Sequence, residues 1–388
     1  MKNFNYLFLF IGVLVLMSFT QSKKDETGSN NETYTSFYPG EIWKDNNGVH
    51  INAHGAGILY EKGTYYLFGE HKTEGRGGNS ANVGVHCYSS KDLYNWTDEG
   101  VALKVSPEGS GSDIEKGCIL ERPKVIFNAK TGKYVMWFHL EPKGKSYTGA
   151  MVGIAQADNV TGPYTYIRMT RGNPKTWPVD VLDLHKKPLL EHLMKERDNL
   201  DSDEHPDSVN TLGRDFEKGQ HSRDMTLFVD DDGTAYHIRS AESNSVIHIS
   251  ELTDDYLDFS GKYVRAFVGR KMEAPAVFKK DGLYYFMASG CTGWDPNEAR
   301  SAVAPSIWGP WTELGNPCVD EGKELTYYSQ STFIVPVAGK KNAFIYMGDR
   351  WTPENAIDGR YIWLPIDFVD NKFIIHWYDE WDLDYFKE

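Results

Sequence analysis

The chain has only four cysteines, Cys87, Cys118, Cys291 and Cys318, in 388 residues. They form no C-x-x-C pair and no Cys/His spacing of a zinc site, which excludes a disulfide-stapled scaffold and a structural zinc. Buried free thiols are the expectation. Long basic runs are missing too: 41 Lys and Arg face 55 Asp and Glu, for a net charge of -14. Nucleic acid is excluded as a partner, because phosphate contacts need clustered cations. The one continuous apolar run, Leu7–Met17, is too short to cross a bilayer comfortably. With Lys2 before it and Ser18-Phe19-Thr20 after it, residues 1–22 read as an export signal. No Cys follows closely to carry a lipid, so no stable membrane partner beyond the export signal itself is expected, with an uncleaved anchor as the alternative, and the expected location is the periplasm or outside the cell. Residues 23–36 are polar and read as an unstructured leader.

Aromatics, by contrast, are abundant at 14%. Most of them fall in five copies of one pattern, an apolar strand, a turn and an aromatic strand. The copies start at Ala53, Leu120, Ser222, Met272 and Ser329. Lys62-Gly63, Thr131-Gly132, Asp232-Gly233 and Asp281-Gly282 supply hairpin turns in four, and the fifth uses Gly339-Lys340. The "DDDG" run at Asp230–Gly233 is such a turn, since it lacks the later acidic ligand of a calcium loop. A second, weaker hairpin follows each copy. Two hairpins make a four-stranded sheet, and five sheets in series close as an all-β, five-bladed β-propeller over residues 37–388, a single catalytic domain. The heads of copies two and three stand more than twice as far apart as those of three and four. A charged insertion, residues 171–220, accounts for the difference; a helix is expected within it over Val181–Asn199, and a segment this long either covers a site or is partly unstructured. Tyr65-Tyr66, Tyr284-Tyr285, Trp137-Phe138, Trp308 and Trp311 are expected to pack in the structure.

In a propeller the first strand of each blade lines the central channel. Aligning the copies on their turns therefore brings His54, Glu121, Asp224, Glu273 and Gln330 to one end of one axis. Polar residues are cheap at a solvated channel mouth, but here the set is reactive throughout while the residues after it are apolar. Three carboxylates around one funnel repel each other and raise at least one pKa. A protonated carboxyl beside an ionised partner is what glycoside cleavage requires. Trp294, Arg350 and Trp351 follow inner hairpins and are candidates for a sugar subsite, the tryptophans by stacking on a hexose face. Arg223 and Glu70, also at strand ends, join His54 as candidate sugar-binding side chains; His54 is alternatively a ligand of an ion or water in the channel.

The segments Ala53-His54-Gly55-Ala56-Gly57, Glu121-Arg122-Pro123, Ser222-Arg223-Asp224, Glu273-Ala274-Pro275 and Ser329-Gln330-Ser331 resemble glycoside hydrolase family 43. In particular they are similar to its branch of exo-β-1,3-galactosidases. The resemblance implies an inverting exo-enzyme that releases galactose from β-1,3-galactan and arabinogalactan backbones and requires no cofactor, with a structural calcium left open by His54. It implies that Glu273 is the general acid and that Asp224 tunes it and holds the glycone. Most of the family begin blade one with an Asp as general base; this chain has Asn52-Ala53-His54-Gly55 there. In the galactosidase branch a Gln or a Glu stands in. Gln330 ranks ahead of Glu121 on resemblance, whereas Glu121 is chemically the better base, and both stay open. Two other readings remain at this level: an α-L-arabinofuranosidase or β-galactofuranosidase on the same fold, and a non-catalytic sugar-binding propeller.

Overall fold

The computed structural model describes residues 33–186 and 211–387. The export signal and most of the leader lie outside the described residues, as does most of the expected Val181–Asn199 helix. A 3₁₀ turn over Asp183–Lys186 and a short helix over Thr211–Asp215 flank that gap. Among the described residues no helix is long and apolar enough to cross a membrane.

Five four-stranded antiparallel sheets follow one another along the chain. Blade one is β1 (His54–Glu61), β2 (Thr64–Lys72), β3 (Asn82–Ser90) and β4 (Thr97–Lys104). Blade two is β5 (Ile119–Asn128), β6 (Lys133–Glu141), β7 (Met151–Ala157) and β8 (Thr165–Thr170). Blade three is β9 (Met225–Val229), β10 (Ala235–Ala241), β11 (Val246–Leu252) and β12 (Phe259–Ala266). Blade four is β13 (Met272–Lys280), β14 (Leu283–Gly290), β15 (Arg300–Ala304) and β16 (Thr312–Gly315). Blade five is β17 (Gln330–Pro336), β18 (Phe344–Arg350), β19 (Arg360–Val369) and β20 (Lys372–Ile375). The sheets form the five-bladed propeller that the repeats predict.

Each blade hides both faces, so the core is divided into five apolar layers between neighbouring sheets. Phe68, Val85 and Leu103 of blade one meet Leu120, Met136 and Phe138 of blade two. Trp137 and Ile154 pack on Met225 and Leu227 across the next gap. Ile238 and Ile247 meet Val277 and Phe286, with Trp308 and Trp311 against the same layer. Phe278 and Tyr285 meet Tyr346 and Leu364. The ring closes where Tyr65 and Leu67 meet Ile345 and Trp363, with Phe37 and Trp381 in the same layer. Phe37 and Trp381 also exchange backbone hydrogen bonds of 2.7 and 3.2 Å, tying the start of the described chain to its end. Order begins earlier than the sequence predicts: Tyr34 exchanges two 2.9 Å hydrogen bonds with the Asn95 side chain, inside the stretch read as leader.

The insertion between blades two and three is pinned at its base. Gly172 and Gln220 pair backbone to backbone, and Trp177 stacks on Phe216 at 4.3 Å. One cysteine departs from expectation. Cys87, Cys118 and Cys318 are buried free thiols, but Cys291 is exposed, because it opens the loop that follows β14.

Candidate active site

The innermost strands share a local irregularity that shapes the site. In β1, β5 and β13 the pairing register slips just after His54, Glu121 and Glu273, and in β17 just after Ser331. Gly55, Arg122 and Ala274, each one residue beyond the strand's polar head, adopt positive φ of 63°, 53° and 56°. These are β-bulges, which bend a strand and re-aim its side chains. For Arg122 and Ala274 the left-handed conformation costs about 1 kcal/mol or more each.

The bulges are held by carboxylates from the preceding blade. Gly55 N–H donates to Asp349 of blade five, Arg122 N–H to Glu70 of blade one at 2.9 Å, and Ala274 N–H to Asp224 of blade three at 3.0 Å. Each carboxylate satisfies a backbone donor that the bulge removes from the ladder, so blade closure and bulge geometry fix each other. Glu70 is thus a buried fastener as well as a wall of the site, and Lys72 Nζ lies 2.8 Å from its other oxygen.

All five heads line one cavity of about 360 Å³: His54, Glu121, Asp224, Glu273 and Gln330, together with Glu70, Arg223 and Trp294. A second cavity of about 370 Å³ shares His54, Gln330 and Trp294 with the first and adds Arg350 and Trp351. Every candidate site residue read from the sequence therefore lies on one two-lobed funnel. Trp294 and Trp351 stack on each other at 4.9 Å, and Trp294 is 56% exposed, an apolar platform at the rim. Arg350 donates to Tyr327 C=O at 2.8 Å, which fixes it against the wall.

Glu273 is the group whose proton is displaced furthest toward use. Burial and then the nearby Asp224 charge raise its pKa to about 8, against the opposing influence of Arg122 and Arg223. Asn244 Nδ2 donates to its Oε1 at 2.5 Å. Asp224 is placed between two obligations, the Ala274 N–H and the Arg122 Nε at 3.0 Å.

Glu121 is tuned the other way. Burial alone would raise its pKa, but His139 and Tyr147 outweigh it and bring the value down to about 2. Tyr147 O–H donates to Oε1 at 2.6 Å, Asn79 donates to the same oxygen, and His139 Nδ1 donates to Oε2 at 2.7 Å. His139 is itself held between two carboxylates, with Nε2 3.1 Å from Glu141. Although burial works against it, that sandwich raises its pKa to about 9, so it is an imidazolium. Among the described residues Glu121, His139 and Asp224 offer ligand-type atoms within 4.8 Å of one another. A doubly donating imidazolium has no lone pair for a metal, so this set fits an ion pair.

Gln330 has its amide orientation fixed. Nε2 donates to Ser289 Oγ at 2.8 Å, and Oε1 accepts from Arg122 Nη2. A flipped amide would set two donors against each other. His54 is neutral: burial lowers its pKa to about 4, although Asp349 lies 3.7 Å away. Its ring meets Trp351 edge-on at 5.1 Å.

The sequence reading missed several members. His139, Ser289 and Asp349 sit opposite Glu121, Glu273 and Gln330 in the hairpin register, so counting back across each turn would have found them. Asn79, Tyr147 and Asn244 come from connections between strands, and no periodicity marks them.

A deep funnel at one end of a five-bladed propeller, with one carboxyl held protonated among ionised neighbours, defines a glycoside-cleaving site. The comparisons agree. The sequence profile of "Glycosyl hydrolases family 43" matches residues 208–363. A GH43 β-1,3-galactosidase, BT3683, solved with galactodeoxynojirimycin, is 48% identical over 89% of this chain and 100% of its own, with a TM-score of 0.84. An exo-β-1,3-galactanase from Clostridium thermocellum is 34% identical over 89% of this chain and 66% of its own, with a TM-score of 0.72. One from Phanerochaete chrysosporium, solved with β-1,3-galactotriose, is 32% identical over 90% and 68%, with a TM-score of 0.70. No curated protein sequence matches significantly. The chain belongs to glycosyl hydrolases family 43.

Proposed function

We propose that this chain is an exo-acting, inverting glycoside hydrolase that releases galactose from β-1,3-galactan and arabinogalactan backbones. The observation that carries the chemistry is the Glu273 carboxyl, protonated up to about pH 8 beside Asp224. The galactose specificity is supported by identity to β-1,3-galactosidases over nearly the whole chain.

Glu273 gives its proton to the glycosidic oxygen as the C1–O bond breaks, so the shortened galactan leaves with a neutral hydroxyl. Asp224 keeps that proton in place beforehand and holds glycone hydroxyls. A water on the opposite face bonds to C1 as the C1–O bond breaks, which inverts the anomeric centre, and the proton it releases passes to a further solvent water in the open funnel. Gln330 positions that water through an amide held on both sides by Arg122 and Ser289. Glu121 is ionised but tied to three donors and has a pKa near 2, so it is a weak base. Its charge grips sugar hydroxyls and opposes the positive charge that develops at C1. Trp294 and Trp351 bear the sugar faces at the rim. This chemistry requires no cofactor. Export to the periplasm or beyond, where such a polysaccharide is met, is supported by the pattern of residues 1–22.

The test compares wild type with Glu273→Gln on β-1,3-galactan, arabinogalactan and an aryl arabinofuranoside. Galactose from the first two, reduced about 10²- to 10⁴-fold in the variant, is expected. Arabinose alone would move the substrate, and sugar binding without product would leave a binding protein.

A further inference from the structure

Three carboxylates hold the strand bulges, and they differ in what pairs with them. Glu70 has Lys72 at 2.8 Å, and Asp224 has Arg122 at 3.0 Å. Asp349 has no lysine or arginine within ion-pair distance among the described residues; its partner at that range is the neutral His54, 3.7 Å away. Its side chain is only 5% exposed. Oδ2 accepts the Gly55 N–H, whereas Oδ1 is buried with no hydrogen-bond partner. For fastening alone, an asparagine would serve as well and would avoid the cost of a buried, unpaired charge. Burial raises the pKa of Asp349, although His54, the Gly55 N–H and Arg122 oppose it.

Asp349 also lies where the displacement needs a base. It is the direct cross-strand partner of Gln330 in the register of β17 and β18, so both side chains leave the same face of the sheet. Gln330, His54 and Arg122 line both lobes of the funnel; Glu273 and Glu121 line only the lobe of about 360 Å³, and Asp349 only the lobe of about 370 Å³. Acid and base of an inverting glycosidase stand on opposite faces of the sugar, far enough apart to admit a water. The wall that carries Gln330 has the acid on one side and an unpaired carboxylate on the other. Gln330 is itself a neutral amide, and Glu121 spends its charge on three donors within the acid's own lobe.

We propose that Asp349 is the general base of the reaction, acting through one water held in the second lobe. As Glu273 gives its proton to the glycosidic oxygen and the C1–O bond breaks, the water held by Gln330 bonds to C1. Its proton passes to the solvent water beside it, and that water gives a proton to Asp349 Oδ1. The step leaves Glu273 ionised and Asp349 protonated, and solvent carries the one proton back once product has left. This role rests on the reading of the chain as an inverting galactan hydrolase and supplies it with the base that is missing from the head of blade one.

The test compares the full chain with its Asp349→Asn variant on β-1,3-galactobiose. Asparagine still accepts the Gly55 N–H, so the bulge is kept while the base is lost. Asp349→Ser, whose hydroxyl can accept the same N–H, is the second variant if the first does not fold, as read by urea unfolding. kcat is expected to fall about 10²-fold or more, with KM within about threefold of wild type. Azide is a nucleophile with no proton to surrender. It should restore turnover at least about tenfold and give α-galactosyl azide, because it bonds to C1 on the face opposite Glu273. A merely structural role would give no such rescue. A folded variant with kcat within about threefold of wild type overturns the proposal, and so does a loss that azide does not restore. If wild type releases sugar only from an aryl arabinofuranoside, the galactan reading fails, and the same comparison on that glycoside still decides the role of Asp349. A wild type that cleaves neither overturns both.

Discussion

Glu273 is a half-buried and Glu121 a buried carboxyl, both at strand heads, and their environments drive them in opposite directions. Glu273 meets desolvation and a neighbouring anion, and rises to about 8; Glu121 meets an imidazolium and falls to about 2. A general acid must be protonated to act, so kcat/KM should hold below pH 8 and decline as pH rises through that value. Asp224→Asn removes the charge that opposes ionisation of Glu273. Its alkaline limb should therefore move to lower pH, with neutral-pH activity down roughly tenfold or more; a limb that stays in place would show that burial alone sets the acid. His139 supplies the second residue-scale prediction. Replacing it with Gln leaves Glu121 and Glu141 buried without their cation, at a cost of about 3–5 kcal/mol in unfolding free energy. Because its folded pKa is raised from 6.5 to about 9, that contribution is full below pH 6.5. The gap between wild type and variant in urea unfolding should narrow as pH rises through 9. The sequence marked Glu121 as reactive, and the hairpin register leads to His139 opposite it, but the rest of its tuning was hidden, because Tyr147 and Asn79 arrive from connections outside the repeat.

At the scale of the element, the five strand heads were readable because hairpin turns give an absolute register. Counting from Asp281-Gly282 back to Glu273 is the same operation as counting from Lys62-Gly63 back to His54. The bulges were not readable. Gly55 resembles any glycine at a strand start, and Arg122 and Ala274 are residue types that give no warning of positive φ. Nor does local sequence show that the carboxylate holding each bulge belongs to the preceding blade. Gly55 makes the point testable. Its φ is +63°, and a Cβ there would lie 2.4 Å from Glu70 Oε1 and 3.2 Å from Arg122 N. Gly55→Ala should cost about 2–4 kcal/mol from backbone strain and the lost Glu70 contact. Displacing Glu70 also frees the Arg122 bulge, and Arg122 is the guanidinium that bonds Gln330 and Asp224. Activity should consequently fall at least tenfold even under conditions where the variant is folded, as read by kcat/KM beside a urea midpoint. A stability loss with unchanged kcat/KM would mean that the bulge serves closure alone.

For the whole molecule, the decisive feature is that each apolar layer lies between two blades, so no blade has a core of its own. Five repeats in the sequence predict that arrangement; the means of closing the ring is less visible, because it draws on residues outside any repeat. Phe37 is 2% exposed and sits in the layer between blades five and one. It stacks on Trp381 at 4.4 Å and meets Tyr94 at 4.6 Å, while its backbone pairs with Trp381. Removing its ring opens a cavity at the closure, at a cost of about 3–5 kcal/mol. Since the funnel heads are fixed by carboxylates on the strands themselves, Phe37→Ala should leave kcat and its alkaline limb unaltered well below the melting temperature. The loss should appear in one cooperative thermal transition at lower temperature, because opening one layer exposes both neighbouring blades and through them the ring. Two separated transitions would show that the closing blades melt on their own, and a loss under about 1 kcal/mol would show that the β-strands close the ring without the aromatic clasp.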